Sequence, residues 1–125
     1  MHNLGRNRQA IDSCDKALAI DPNLDAAWNN RSAALRALGW HKEELESCIK
    51  AVATNPENSN YWLIQAHALV SMRRHKEAVK SFERALAIDP DDADVWRQMG
   101  DALKSMGSKR LAQDAYENAR QARKL

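Results

Sequence analysis

The chain has 125 residues, of which 19 are basic and 17 are acidic, so its formal net charge is +2. Hydrophobic residues make up 44% of it, enough to form the core of a soluble domain. This charge balance argues against nucleic acid or a membrane surface as the main partner, because both attract clustered basic surfaces. The sequence has no apolar stretch long enough for a transmembrane helix or a signal peptide. Its two cysteines make no disulfide framework, so a cytoplasmic protein is expected.

Along the chain, apolar residues recur every three or four positions, which is the period of an amphipathic α-helix. Gly39 and Gly107 mark short connections, and Pro22, Pro56 and Pro90 each end a helical run. In chain order, the predicted helices span residues 5–20, 25–38, 41–54, 59–72, 75–88, 93–106 and 109–123.

The same pattern recurs at a fixed interval. Pro22, Pro56 and Pro90 are separated by 34 residues, and three tryptophans, Trp28, Trp62 and Trp96, keep the same spacing. The segments 16–22 (KALAIDP) and 84–90 (RALAIDP) are nearly identical. A period of this length that contains two helices predicts an array of stacked helical hairpins.

This unit resembles the tetratricopeptide repeat (TPR). That family has an aromatic residue and then a small residue in the first helix, and a small residue followed by an aromatic in the second. The matching residues are Trp28, Trp62 and Trp96; Ser32, Ala66 and Gly100; Ala10, Ala78 and Ala112; and Phe82 and Tyr116. The resemblance implies an all-α fold, a right-handed superhelical solenoid of antiparallel helix pairs with seven helices.

The resemblance also implies a single domain, 1–125, with about 3.5 repeats. Its parts are a partial repeat at 1–24 with only the second helix, repeats at 25–58 and 59–92, and a last repeat at 93–125. Polar residues at Gln113 and Arg120 are expected to cap the C-terminal helix. One flank of helix 5–20 lacks its usual cover, which indicates either a longer array or packing on another copy.

Four residues depart from the family pattern. Cys14 and Cys48 occupy the positions of Phe82 and Tyr116 in the later repeats, and we expect them to be small buried hydrophobic residues. Arg31 replaces an apolar residue, and Glu44 replaces a small one. Because either charge alone would be costly to bury, the sequence predicts that these two side chains form a partly buried pair.

The tryptophans that repeat every 34 residues are predicted to be core residues. Trp40 has no counterpart in the other repeats, so both a contact residue and a local packing residue remain open. The histidines and cysteines show no metal-site spacing, and no phosphate-binding loop or catalytic triad is present. We therefore predict no catalytic, cofactor-binding or metal-binding residues, and no enzyme activity.

In the TPR family the first helix of each repeat lines a concave groove, and this resemblance implies a peptide-binding groove here. Its candidate residues are Asn29, Asn30, Arg36, Leu63, His67, Val70, Arg97, Gln98, Asp101 and Lys104. Leu63 and Val70 are apolar on an otherwise polar face, which indicates either a protein partner or packing between helices. The clamp with which some relatives hold a C-terminal carboxylate is absent, because its positions lack the required charges.

The predicted function is a protein-interaction scaffold that binds a peptide or helix of a partner protein in the groove, with no cofactor, nucleic acid or membrane. One alternative is a regulatory or substrate-recruiting arm of a larger enzyme or multi-domain protein. Another is self-association into a homo-oligomer through the N-terminal helix. RNA binding is less consistent with the sequence, because the groove is mixed in charge.

Overall fold

The structure is a computed structural model that describes residues 3–124. This part of the chain consists of seven α-helices and has no β-strand. The helices are α1 (Asn3–Ile20), α2 (Asp25–Leu38), α3 (His41–Thr54), α4 (Ser59–Ser71), α5 (His75–Ile88), α6 (Ala93–Ser105) and α7 (Lys109–Lys124). The predicted helices are confirmed, and their ends agree to within one or two residues.

The helices form two compact units that divide after Pro56. In the first unit, α2 packs against both α1 and α3. In the second unit, α4 packs against α5, α5 against α6, and α6 against α7. Each contact joins helices that follow one another in the chain, as expected for helical hairpins with short connections.

Small residues allow the paired helices to approach closely. A Cβ atom added to Gly100 on α6 would lie 2.7 Å from a ring carbon of Tyr116 on α7, so only glycine leaves room for this ring. In the first unit, the equivalent positions are Ser32 and Cys48, and the Ser32 hydroxyl donates to the carbonyl oxygen of Asn29 at 2.7 Å. Cys14 and Cys48 are free and buried, as predicted. Burial raises the pKa of the Cys48 thiol to about 12.

Two of the repeated tryptophans connect successive helix pairs. The indole Nε1 of Trp28 donates to the carbonyl oxygen of Pro22 at 2.9 Å, and that of Trp96 donates to Pro90 at 2.8 Å. The three repeated tryptophans are half-buried, so the prediction that they are core residues is correct only in part. The guanidinium of Arg84 lies 4.8 Å from the ring centroid of Trp62, a cation–π contact on one face of that ring.

The predicted pair of Arg31 and Glu44 is wrong. Arg31 on α2 instead donates from Nε to Asp15 Oδ1 at 2.8 Å and from Nη1 to Ser47 Oγ at 2.7 Å. It thereby joins all three helices of the first unit. Glu44 is buried, and its Oε1 lies 2.8 Å from Nδ1 of His41. His41 lies three residues earlier on the same helix, where side chains are neighbours, and it therefore supplies the partner for the buried carboxylate.

The turns inside three helix pairs share a left-handed backbone conformation. Gly39 and Gly107 have φ angles of 78° and 81°. The equivalent residue of the middle turn, between α4 and α5, is Arg73, with φ of 59°. A side chain at such an angle costs about 1–2 kcal/mol, because its Cβ crowds the backbone, whereas glycine adopts the angle freely. The chain therefore carries backbone strain at Arg73.

This strain can be measured by exchanging the residue types. We expect Arg73→Gly to raise the free energy of unfolding by about 1 kcal/mol, and Gly107→Ala to lower it by about the same amount. A Cβ atom at Gly107 would have no other atom within 4 Å, so its effect comes from the backbone alone. Urea unfolding followed by circular dichroism gives both values. Equal destabilisation by the two changes would show that Arg73 is not strained.

Candidate peptide-binding cleft

Four of the predicted groove residues surround one cleft in the second unit. His67 and Val70 come from α4, and Gln98 and Asp101 come from α6. The cleft has a volume of about 180 Å³. Its remaining lining residues are His75, Phe82, Ala102 and Ser105. Phe82 and Ala102 are buried, so the cleft has apolar walls and a polar rim. We call this space the apolar cleft.

The spacing of these residues explains why they meet. His67 and Val70 are three residues apart on α4, and Gln98 and Asp101 are three apart on α6, so each pair lies on one helical face. The side chains of His67 and Gln98 are hydrogen-bonded through Nε2 and Oε1, and this bond joins α4 to α6. The His67 ring also packs edge to face on Phe82, with ring centroids 6.1 Å apart. These contacts fix one wall of the apolar cleft before any partner arrives.

A hydrogen bond also orients the carboxylate of Asp101. The hydroxyl of Tyr116 donates to Asp101 Oδ1 at 2.5 Å. This bond raises the pKa of Tyr116, and desolvation adds to the shift. Because the bond occupies one carboxylate oxygen, Oδ2 remains available at the rim of the apolar cleft. The contact depends on Gly100, which leaves space for the Tyr116 ring.

A second, larger cleft adjoins the first. It has a volume of about 710 Å³ and is lined by Val70, Ser71, Arg73, His75 and Ser105. We call it the polar cleft. Val70, His75 and Ser105 line both clefts. Nδ1 of His75 is buried and has no hydrogen-bond partner among the described residues.

His75, Phe82, Ser105 and Arg73 were not among the predicted groove residues. Three of them come from the second helix of a repeat or from a turn, whereas the groove was predicted from first helices alone. Arg73 could have been singled out from the sequence, because the equivalent residues of the turns before and after it are glycines.

The other predicted groove residues lie outside the apolar cleft. Leu63 is half-buried and lines a separate cavity of about 10 Å³ beside Ala85 and Val95. Arg97 is exposed and pairs with Asp94 at 3.0 Å, and Lys104 is exposed. The three predicted residues of the first unit lie on α2, where Asn30 and Arg36 are exposed and Asn29 is half-buried.

Trp40 remains a candidate contact residue. Its side chain is 44% exposed at the start of α3, and the guanidinium of Arg8 lies 5.8 Å from its ring centroid. Both earlier interpretations are consistent with this position, because the ring is partly covered by an arginine and partly open to solvent.

Within residues 3–124, no three potential ligand side chains are grouped as a metal site would require. None of the described helices is both long and apolar enough to cross a membrane.

The bond between Tyr116 and Asp101 predicts a shifted titration. We expect Asp101→Asn to lower the pKa of Tyr116 towards its ordinary value near 10, because the negative acceptor is lost. The pKa is raised in the folded state, so the bond stabilises the fold below about pH 10. That contribution is lost as the pH rises through the folded-state pKa of Tyr116.

Ultraviolet absorbance of tyrosinate measures this shift, since the chain contains only Tyr61 and Tyr116 as tyrosines. Asp114→Asn, at an exposed position on α7, is the matched control and should leave the titration unchanged. Identical curves for Asp101→Asn and the unmodified protein would contradict the assigned contact.

The family is identified by sequence comparison. Residues 66–107 match a family described as TPR repeat, and residues 2–24 match one described as tetratricopeptide repeat. Together these matches cover more than half of the chain. The chain belongs to the tetratricopeptide-repeat family, whose members are in general protein-interaction scaffolds. No curated protein matches the sequence.

Solved structures of MamA share the fold. One crystal structure of MamA is 24% identical, with a TM-score of 0.88 over 94% of this chain and 69% of that one. A second is 19% identical, with a TM-score of 0.90 over 98% of this chain and 67% of that one. MamA from Desulfovibrio magneticus RS-1, from residue 41 to its end, is 19% identical, with a TM-score of 0.86 over 98% and 70%. This likeness confirms the predicted class of helical-repeat fold.

Proposed function

We propose that this protein is an interaction scaffold, without enzyme activity of its own, that binds a peptide or helix of a partner protein. The groove predicted from the first helices is the proposed binding surface, and the apolar cleft is its anchor point. The observation that carries this proposal is the convergence of His67, Val70, Gln98 and Asp101 on one cleft with apolar walls and a polar rim.

The size of the apolar cleft favours a side chain over a metabolite. Its volume of about 180 Å³ is below the roughly 300–1,000 Å³ of typical small-molecule pockets. A single apolar side chain of a partner would contact Val70 and Phe82 there. The amide group of Gln98 and the free oxygen of Asp101 would then bind polar groups of the partner backbone. Because few anchors are present, we expect micromolar affinity.

The rim of the cleft is already ordered. The Tyr116 hydroxyl is hydrogen-bonded to Asp101, and the His67 ring is hydrogen-bonded to Gln98. Binding would therefore immobilise few side chains that are free beforehand. Such preorganisation lowers the entropic cost of association. Arg97 and Lys104 lie on the same helix as Gln98 and are exposed, and they would contribute charge at the edge of the interface.

Self-association through α1 is the second candidate, and one observation favours it. Ser13 is exposed on α1, whereas the equivalent residues of the other second helices, Ser47, Ser81 and Ala115, are at most 3% exposed. Ala17 is likewise half-buried, although its equivalents in α3, α5 and α7 are buried. This face of α1 would accept a further helix of the repeat type. Light scattering across a concentration series tests this candidate, and a constant monomer mass would oppose it.

The apolar cleft can be tested by one change of charge. We expect Val70→Glu to reduce capture of the partner at least tenfold, because it places a carboxylate in the apolar anchor point. Leu111→Glu is the matched control, since Leu111 is 56% exposed on α7 and lies outside both clefts. Affinity capture from a lysate of the source organism, with quantitative mass spectrometry, compares the two variants with the unmodified protein.

Circular dichroism should show that both variants remain helical. A partner that binds the unmodified protein and Leu111→Glu, but not Val70→Glu, supports the proposed cleft. Equal capture by all three proteins would contradict the proposed cleft and would make Trp40 or α1 the next candidate binding surface.

A further inference from the structure

The polar cleft has the charge of an anion site. Arg73 is the one charged residue among its lining residues, which are otherwise Val70, Ser71, His75 and Ser105. No acidic side chain of the described residues forms an ion pair with Arg73. The neighbouring Arg74 is already paired, because it donates two hydrogen bonds to the carboxylate of Glu77, at 2.8 and 2.7 Å. The charge of Arg73 is therefore free to act on a ligand.

The backbone at Arg73 supports a role other than stability. The turns at Gly39 and Gly107 have the same left-handed conformation and contain glycine, which adopts it without strain. Arg73 has this conformation at an energetic cost, with φ of 59°. Residues held in such a conformation are concentrated where a side chain has a binding or catalytic role. The strained backbone, the open cleft and the unpaired charge are three separate features, and all three are consistent with a binding role for Arg73.

His75 lies where the two clefts join, and its Nδ1 is buried without a partner. Because this atom is enclosed by the protein, His75 contributes its ring to the wall of the polar cleft and does not donate from Nδ1 to a ligand there. Ser71 and Ser105 supply hydroxyl donors to the same cleft.

We infer that the polar cleft binds a carboxylate of the partner protein, on an aspartate or glutamate adjacent to the apolar residue that fills the apolar cleft. This inference rests on the proposed function and names the chemistry of the partner segment. Arg73 supplies the charge, Ser71 and Ser105 supply hydroxyl donors, and Val70 lies between the apolar anchor and the acidic residue. Asp101 is the one acidic residue on the apolar cleft and does not line the polar cleft.

The test uses two synthetic peptides and the full chain. The probes are the acetylated and amidated peptides Gly-Ser-Leu-Glu-Ser-Gly and Gly-Ser-Leu-Gln-Ser-Gly, which differ only in one charge. Each is titrated to about 5 mM while the amide signals of Arg73 and His75 are followed by nuclear magnetic resonance. We expect the glutamate peptide to bind about fivefold more tightly than the glutamine peptide. Sodium acetate and inorganic phosphate are titrated separately.

Two variants distinguish the effect of the Arg73 charge from the effect of its left-handed backbone conformation. Arg73→Asn removes the charge but tolerates the left-handed conformation, so it should lose the preference for glutamate while its Tm stays equal or rises. Arg73→Lys keeps the charge and should retain most of the preference. Loss of the preference in a stable Arg73→Asn protein supports a binding role for Arg73, because a purely structural residue would lower the Tm.

Three results would overturn the inference. They are equal binding of the two peptides, an unchanged preference in Arg73→Asn, and the absence of shifts at Arg73 and His75. Phosphate or acetate that binds as tightly as the glutamate peptide would indicate an adventitious ion only. Partner capture that depends on Val70 but not on Arg73 would leave the proposed function standing and reject this inference alone.

Discussion

A tryptophan indole bound to the carbonyl oxygen of a proline holds successive helix pairs together within each unit. Trp28 donates to Pro22, and Trp96 donates to Pro90, with the same geometry in both. The proline ends one helix because it cannot continue the backbone hydrogen bonds, and its carbonyl then receives the donor from the next pair. The 34-residue period therefore corresponds to a repeated physical contact. Its two partners are the residue types that define the period in the sequence.

The candidate binding surface depends on this contact. In the second unit the bond from Trp96 fixes the start of α6 relative to the end of α5, and α5 packs against α4. Gln98 on α6 is thereby brought within hydrogen-bonding distance of His67 on α4. The apolar cleft lies where these three helices meet, so its shape is set by packing contacts outside the binding residues. In the first unit Arg31 has a comparable role, because it connects α1, α2 and α3.

Periodicity was sufficient to predict the helices, since apolar spacing, glycine and proline act within a few residues of themselves. His67, Val70, Gln98 and Asp101 could be proposed as groove residues because the resemblance to the TPR family implies that the first helix of each repeat lines the groove. The partners of individual charges could not be predicted in this way. Arg31 reaches Asp15 and Ser47 on two other helices, because side-chain length and the angle between helices decide among several nearby groups. Glu44 pairs instead with His41 on its own helix, a local contact that competes with any partner on another helix. The polar cleft was missed because it combines a turn, a helix start and the end of another helix.

Trp96→Phe tests whether the bond from Trp96 to Pro90 holds α5 and α6 in the arrangement that forms the apolar cleft. Phenylalanine keeps an aromatic ring but removes the indole donor. We expect a loss of about 1–2 kcal/mol in the free energy of unfolding, together with altered amide signals at Gln98 and His67. Trp40→Phe is the control, because the Trp40 indole has no hydrogen bond to a proline among residues 3–124, and it should change neither. A Trp96→Phe protein with unchanged stability and unchanged amide signals at Gln98 and His67 would show that this bond does not hold the cleft in place.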